Sequence, residues 1–125
     1  MNAITKTVQA PVLPFDVTPV AGRIGAEIHG VHLSGDLDPL VAAGIWSTLD
    51  RYKVVFFRGQ DHLDEAGQEA AAFALGTPVR HPTVDPKAGG AYLGELDSIY
   101  GAHTNSWHTD VTFVDAYPVA SMLRA

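Results

Sequence analysis

The chain has 125 residues, 46% of them hydrophobic and 18% charged, and a formal net charge of −6. That composition is too apolar for intrinsic disorder and suits one globular domain with a core of its own. The acidic balance argues against a nucleic-acid partner and against charge-driven binding to an anionic membrane, and the absence of cysteine excludes disulfides, thiolate metal sites and thiol nucleophiles. No apolar run nears the ~20 residues that cross a bilayer, and the N-terminus lacks a leader-like apolar stretch. A cytoplasmic protein without a membrane partner is therefore expected.

Residues 1–15, with Pro11 and Pro14 and no period, read as a flexible N-terminal segment, leaving 16–125 as the folded part. Two short strands are predicted from Phe15 to Val20 and from Ala26 to Val31, with Gly22, Gly25 and Gly30 as turns. Asp38-Pro39 opens a helix over about 38–51, along which Leu40, Ala43, Gly44 and Trp46 keep only a rough helical spacing. Lys53 to Phe57 is a continuous apolar run, read as a strand buried on both faces. Asp64 caps a second helix over about 64–75 with an apolar stripe of Ala66, Ala70, Phe73 and Ala74, and Gly76 ends it. Residues 80–105 read as loop, with a short strand from Tyr92 to Leu96. Two more strands are predicted at Trp107–Phe113 and Val119–Arg124. The fold class is α+β, mainly β. Ser121 to Ala125 reads as the interior of a strand with an unpaired edge, so an incomplete domain continuing past Ala125 is expected.

His108-Thr-Asp110 carries the chemical signal. On a strand, residues i and i+2 share a face, so an imidazole and a carboxylate would project side by side, two of the three ligands of a facial iron triad. With six histidines and ten aspartates in the chain, chance supplies about half of one such match. A second does occur, at His62-Leu-Asp64. There the carboxylate is better explained as a helix cap and the histidine as a solvated loop residue. For His108 the competing reading is a strand histidine hydrogen-bonded to its neighbour's carboxylate. His81, His103 and Asn105 stand in the loop ahead of this motif and are as well explained as surface residues as by a cavity role; His29 and His32 receive no chemistry. No phosphate-binding glycine loop and no GxSxG elbow is present.

Taken together, several segments resemble the taurine/2,4-dichlorophenoxyacetate dioxygenase (TauD/TfdA) family. They are Arg23 to Ser34, Tyr52-Lys-Val-Val-Phe-Phe-Arg-Gly-Gln60, Phe73-Ala-Leu-Gly-Thr-Pro78 with His81-Pro82, Trp107-His-Thr-Asp-Val-Thr-Phe113, and Pro118 to Ala125. The resemblance covers about residues 20–125 and looks nearest to the members that cleave alkyl sulfates and sulfonates. It implies the first part of a double-stranded β-helix (jelly roll) with two N-terminal helices. It also implies Fe(II) as cofactor, 2-oxoglutarate as cosubstrate, O2, and a small anionic alkyl sulfate or sulfonate as substrate. By the same resemblance His108 and Asp110 are iron ligands, and His81 meets the sulfonate or sulfate group. Asn105 is a substrate-side residue, offset by one from its place in the taurine enzymes. Val84 stands where those enzymes carry a tyrosine.

The second histidine ligand and the 2-oxoglutarate-binding residues are expected beyond Ala125, which makes the 125-residue chain inactive by itself. The implied reaction is hydroxylation of the carbon bearing the sulfate or sulfonate, with release of sulfate or sulfite and an aldehyde; a homo-oligomer is expected. The alternatives are a non-catalytic β-rich fragment and a dioxygenase of the same family acting on an aryloxy or other small carboxylic acid.

Overall fold

A computed structural model of the chain describes residues 12–86, 88, 90–95 and 106–125. Two compact units divide them. One takes the described residues through His32 together with Asp38–Gly59, and the other takes Leu33–Leu37 together with the described residues from Gln60 to Ala125.

The first unit is a three-stranded sheet with one helix. β1 (Asp16–Pro19) and β2 (Ala26–His29) pair antiparallel, Asp16 opposite His29 and Pro19 opposite Ala26. The turn between them depends on Gly25, whose φ of +95° and tight surroundings exclude a side chain: a Cβ there would fall 2.7 Å from Val20 Cγ2. α1 (Pro39–Tyr52) carries the chain back, and β3 (Val55–Phe56) joins β2 in parallel, giving the order β1-β2-β3.

Local signals set the ends of α1. Asp38 Oδ1 accepts the Leu40 N–H at 2.7 Å, Pro39 fills the first position, and Lys53 leaves the helix at φ 67°, its N–H donating to Leu49 O. Its buried residues are Gly44, Ile45 and Thr48, whereas Leu40 is 73% exposed and Ala43 lies on the outer face. The face expected from Leu40 and Ala43 is thus rotated. Buried Thr48 fits because its hydroxyl donates to Gly44 O at 2.7 Å. Gly44 also admits Pro14 and Phe15 (an added Cβ would lie 3.0 Å from Phe15 Cε1), so the end of the presumed flexible segment is packed; residues 1–11 lie outside the described part.

β3 is shorter and more open than the apolar run suggested. Val54 is 42% and Phe56 40% exposed, alternating with half-buried Val55 and Phe57. β3 is an edge strand with α1 and β2 as its packing partners, so one face stays open.

In the second unit, α2 (Glu65–Leu75) is capped by Asp64, whose Oδ1 accepts the Gly67 N–H at 2.7 Å; Gly76 N closes the last turn on Ala72 O. Its buried residues are Gln68 and Ala71, not the expected stripe: Ala66, Ala70 and Phe73 are exposed. A polar Gln68 can be buried because its Oε1 accepts from Arg124 Nε at 3.1 Å. His62 is exposed but bonded, with Nε2 2.8 Å from Leu33 O, while Gln60 Oε1 accepts the Leu33 N–H at 2.9 Å. Two side chains therefore hold both backbone groups of Leu33, and His62 is more than a solvated loop residue.

The strands predicted at 107–113 and 119–124 do not form, nor is there a strand among the described residues 92–95. Helices of 14 and 11 residues outweigh strands of four, four and two, so the class is α+β but not mainly β among the described residues. The reasons are local. Tyr92 gives its N–H to a side chain, Glu69 Oε1 at 2.7 Å, and not to a ladder. Val111 sits at φ 52°, outside the extended region, and no described strand offers 107–113 its hydrogen bonds.

Candidate functional site

α2 is the platform of this unit. From it Glu69 accepts the Tyr92 N–H, and Phe73 meets the Tyr92 ring edge-on, centroids 5.4 Å apart at 87°. Gly90 lets the chain pass close to that carboxylate, since a Cβ there would lie 3.0 Å from Glu69 Oε1. The segment so anchored faces the stretch that follows α2 across a small, open pocket. Arg80, His81, Val84, Pro86, Tyr92 and Leu93 contribute to its lining.

His81 Nδ1 accepts the Thr83 N–H at 3.3 Å and lies 3.3 Å from Thr83 Oγ1. An accepting Nδ1 places the ring proton on Nε2, which is left as a donor. Arg80 lies with its guanidinium carbon 5.9 Å from the Tyr92 ring centroid.

Farther along the chain, His108 Nε2 stands 3.2 Å from Asp110 Oδ1. The strand that was to bring them together is missing; His108 lies in an irregular stretch and Asp110 at the start of a bend, and the two side chains still meet. His108 Nδ1 is 3.0 Å from Ser106 O, and because a carbonyl oxygen only accepts, Nδ1 carries a proton and donates it there. In the neutral ring Nε2 then holds the free lone pair, the arrangement found in metal-bound histidines whose other nitrogen is tied to a backbone carbonyl. Metal–donor distances of about 2.0–2.2 Å put neighbouring octahedral donors about 3 Å apart, close to the separation seen here. An imidazole and a carboxylate are also the donor types that suit Fe(II). Among the described residues no cluster of three or more His, Asp or Glu side chains forms a complete site. The second His-x-Asp pair is divided: His62 is engaged with Leu33 O and Asp64 with the α2 N-terminus. Asn105 and His103 lie outside the described residues.

Sequence reasoning passed over Arg80, Glu69 and Tyr92. The adjacency of Arg80 to His81 was a visible signal. The Glu69–Tyr92 bond spans 23 positions and left none.

No described helix is long and apolar enough to cross a membrane. The chain is 59% identical over 113 residues to an alpha-ketoglutarate-dependent sulfate ester dioxygenase of Pseudomonas putida, covering 90% of this chain and 38% of that protein. It is 50% identical over 121 residues to an alkylsulfatase of Acinetobacter baylyi, covering 97% of this chain and 38% of that one. The chain thus spans little more than a third of the length of these relatives. Among solved structures, a taurine dioxygenase from Burkholderia xenovorans superposes with a TM-score of 0.55 at 38% identity, over 62% of this chain and 28% of that one. The sequence model of the family described as taurine catabolism dioxygenase TauD, TfdA matches residues 16–125, and the chain belongs to that family.

Proposed function

We propose that the chain supplies part of the active site of an Fe(II)- and 2-oxoglutarate-dependent dioxygenase that oxidises the carbon next to a sulfate ester or sulfonate. The observation that carries this reading is the 3.2 Å approach of His108 Nε2 to Asp110 Oδ1, with Nδ1 tied to Ser106 O. The sulfate-ester chemistry is supported by the 59% identity to a sulfate ester dioxygenase. His108 and Asp110 would hold the iron at two neighbouring positions, and bound iron with 2-oxoglutarate would supply the activation of O2. The third ligand and the 2-oxoglutarate anchor are assigned to the part of the relatives' length that this chain does not span.

In the overall reaction one oxygen atom of O2 enters the substrate C–H bond and the other enters succinate, while 2-oxoglutarate loses CO2 and supplies two electrons. The hydroxylated carbon then gives up its hydroxyl proton, the C–O bond to sulfate breaks, and an aldehyde and sulfate separate; a sulfonate breaks its C–S bond and releases sulfite. His81 binds and orients the anionic head group through Nε2–H, and the apolar side chains of Val84, Pro86 and Leu93 accept the alkyl chain and exclude water. Asn105 is assigned to the substrate side.

The same reading makes 107–113 and 119–124 strands of a jelly roll in the parent domain. Trp107, Phe113, Val119 and Leu123 are exposed, an apolar surface that a further sheet would cover. The cysteine-free composition accords with a cytoplasmic setting.

A chimera tests the proposal. This chain replaces the matching segment of the Pseudomonas putida relative, which is given hexyl sulfate, 2-oxoglutarate, Fe(II) and O2. Succinate and sulfate are expected in equal amounts, with both lost in His108→Ala. A folded chimera that binds hexyl sulfate but releases no sulfate contradicts the reading. His81→Ala is expected to raise KM for hexyl sulfate much more than for 2-oxoglutarate, and equal effects would count against its assignment.

A further inference from the structure

We propose that Arg80 is a second head-group ligand of the pocket lined by His81, pairing its guanidinium with the sulfate of an alkyl sulfate. This rests on the functional reading above and extends it to a residue that the reading does not use.

Three observations support it. Arg80 and His81 line the same pocket, so a permanent cation and an imidazole donor border one small space. The Arg80 guanidinium carbon lies 5.9 Å from the Tyr92 ring centroid, and Tyr92 is itself fixed to α2 through Phe73 and Glu69. A cation–π contact favours the rotamers that keep the guanidinium beside the ring, so less entropy is spent when it engages an anion. Finally, among the described residues no carboxylate pairs with Arg80, whereas Arg58 and Arg124 each face a glutamate. Its charge is therefore not neutralised by a partner there. The planar fork of Arg matches the tetrahedral face of a sulfate at two oxygens, a geometry that a lysine ammonium does not reproduce. Opposite these polar groups, Val84, Pro86 and Leu93 provide an apolar wall for the alkyl chain.

The test is an NMR titration of the 125-residue chain with hexyl sulfate, with hexanol and inorganic sulfate as comparison ligands. Wild type, Arg80→Met and Arg80→Lys are compared, and circular dichroism confirms that each is folded as wild type. Shifts confined to residues 80–94 are expected in wild type. Arg80→Met is expected to raise the Kd for hexyl sulfate about tenfold, the loss expected for a half-exposed charge-assisted contact. Arg80→Lys should recover only part of that loss. The wild-type Kd should rise with ionic strength more steeply than that of Arg80→Met, because one charge pair is screened. Equal Kd values for wild type and Arg80→Met, with wild type binding hexyl sulfate at residues 80–94, overturn the assignment of Arg80 alone. Failure of wild type to bind hexyl sulfate at those residues overturns that assignment and the functional reading of the pocket together.

Discussion

Arg124 Nε donates to Gln68 Oε1 at 3.1 Å, and from the same guanidinium Nη1 donates to Leu63 O at 2.9 Å and Nη2 lies 3.6 Å from Glu65 Oε1. One side chain near the end of the sequence thus ties the segment after Pro118 to the first turns of α2. With 38% of its side chain exposed, Arg124 satisfies a buried glutamine.

Arg124→Met is accordingly expected to cost about 1–2 kcal/mol, the range for hydrogen bonds to a charged donor reduced for partial exposure. Urea unfolding of the chain measures it. Gln68→Leu in the Arg124→Met background should cost less than in wild type, since the buried amide has then already lost its partner; additive losses would show that the two side chains do not act together.

Lys53 offers the opposite sign. It ends α1 at φ 67°, where a Cβ is disfavoured and glycine is not. Lys53→Gly is expected to stabilise the chain by about 0.5–1 kcal/mol, less what is lost with the Lys53 Nζ contact to Asp50 O. Lys53→Ala keeps the Cβ and loses that contact, so it should give no gain. Thermal melts of the two variants decide it, and a Lys53→Gly protein less stable than Lys53→Ala would contradict the cap assignment.

These two sites show what the sequence made legible. α1, α2, β1 and β2 were readable within a residue or two because their signals are local: Asp38-Pro39, Asp64 ahead of Gly67, Gly76, and the glycines around the β1–β2 turn. The helix faces were not, because they depend on partners such as Arg124 for Gln68 and Phe15 for Gly44, which lie 56 and 29 positions away. The strands at 107–113 and 119–124 were predicted from the residue pattern, but a residue pattern describes only side chains. A strand also needs a neighbour to take its backbone hydrogen bonds, and that neighbour is not among the described residues. His108 and Asp110 were singled out by a strand argument, and they approach each other in an irregular, bent stretch instead.

The 125-residue chain by itself is expected to form no succinate from 2-oxoglutarate with Fe(II), ascorbate and hexyl sulfate. Two donors hold a metal far less firmly than three, and no identified cation fixes the distal carboxylate of 2-oxoglutarate. A succinate assay run beside the full-length Pseudomonas putida relative checks this. Iron-dependent, substrate-stimulated succinate from the short chain would mean that a third ligand lies within it.

The central claim is that His108 and Asp110 form a metal-binding pair while His62 and Asp64, at the same spacing, do not. Paramagnetic NMR with Mn(II), which favours the same oxygen and nitrogen donors as Fe(II), tests it even when binding is weak. At substoichiometric Mn(II), amide signals of residues 106–112 should broaden while those of 60–66 persist, and Asp110→Ala should abolish the effect. Broadening at 60–66 equal to that at 106–112, or none that depends on Asp110, would contradict the account.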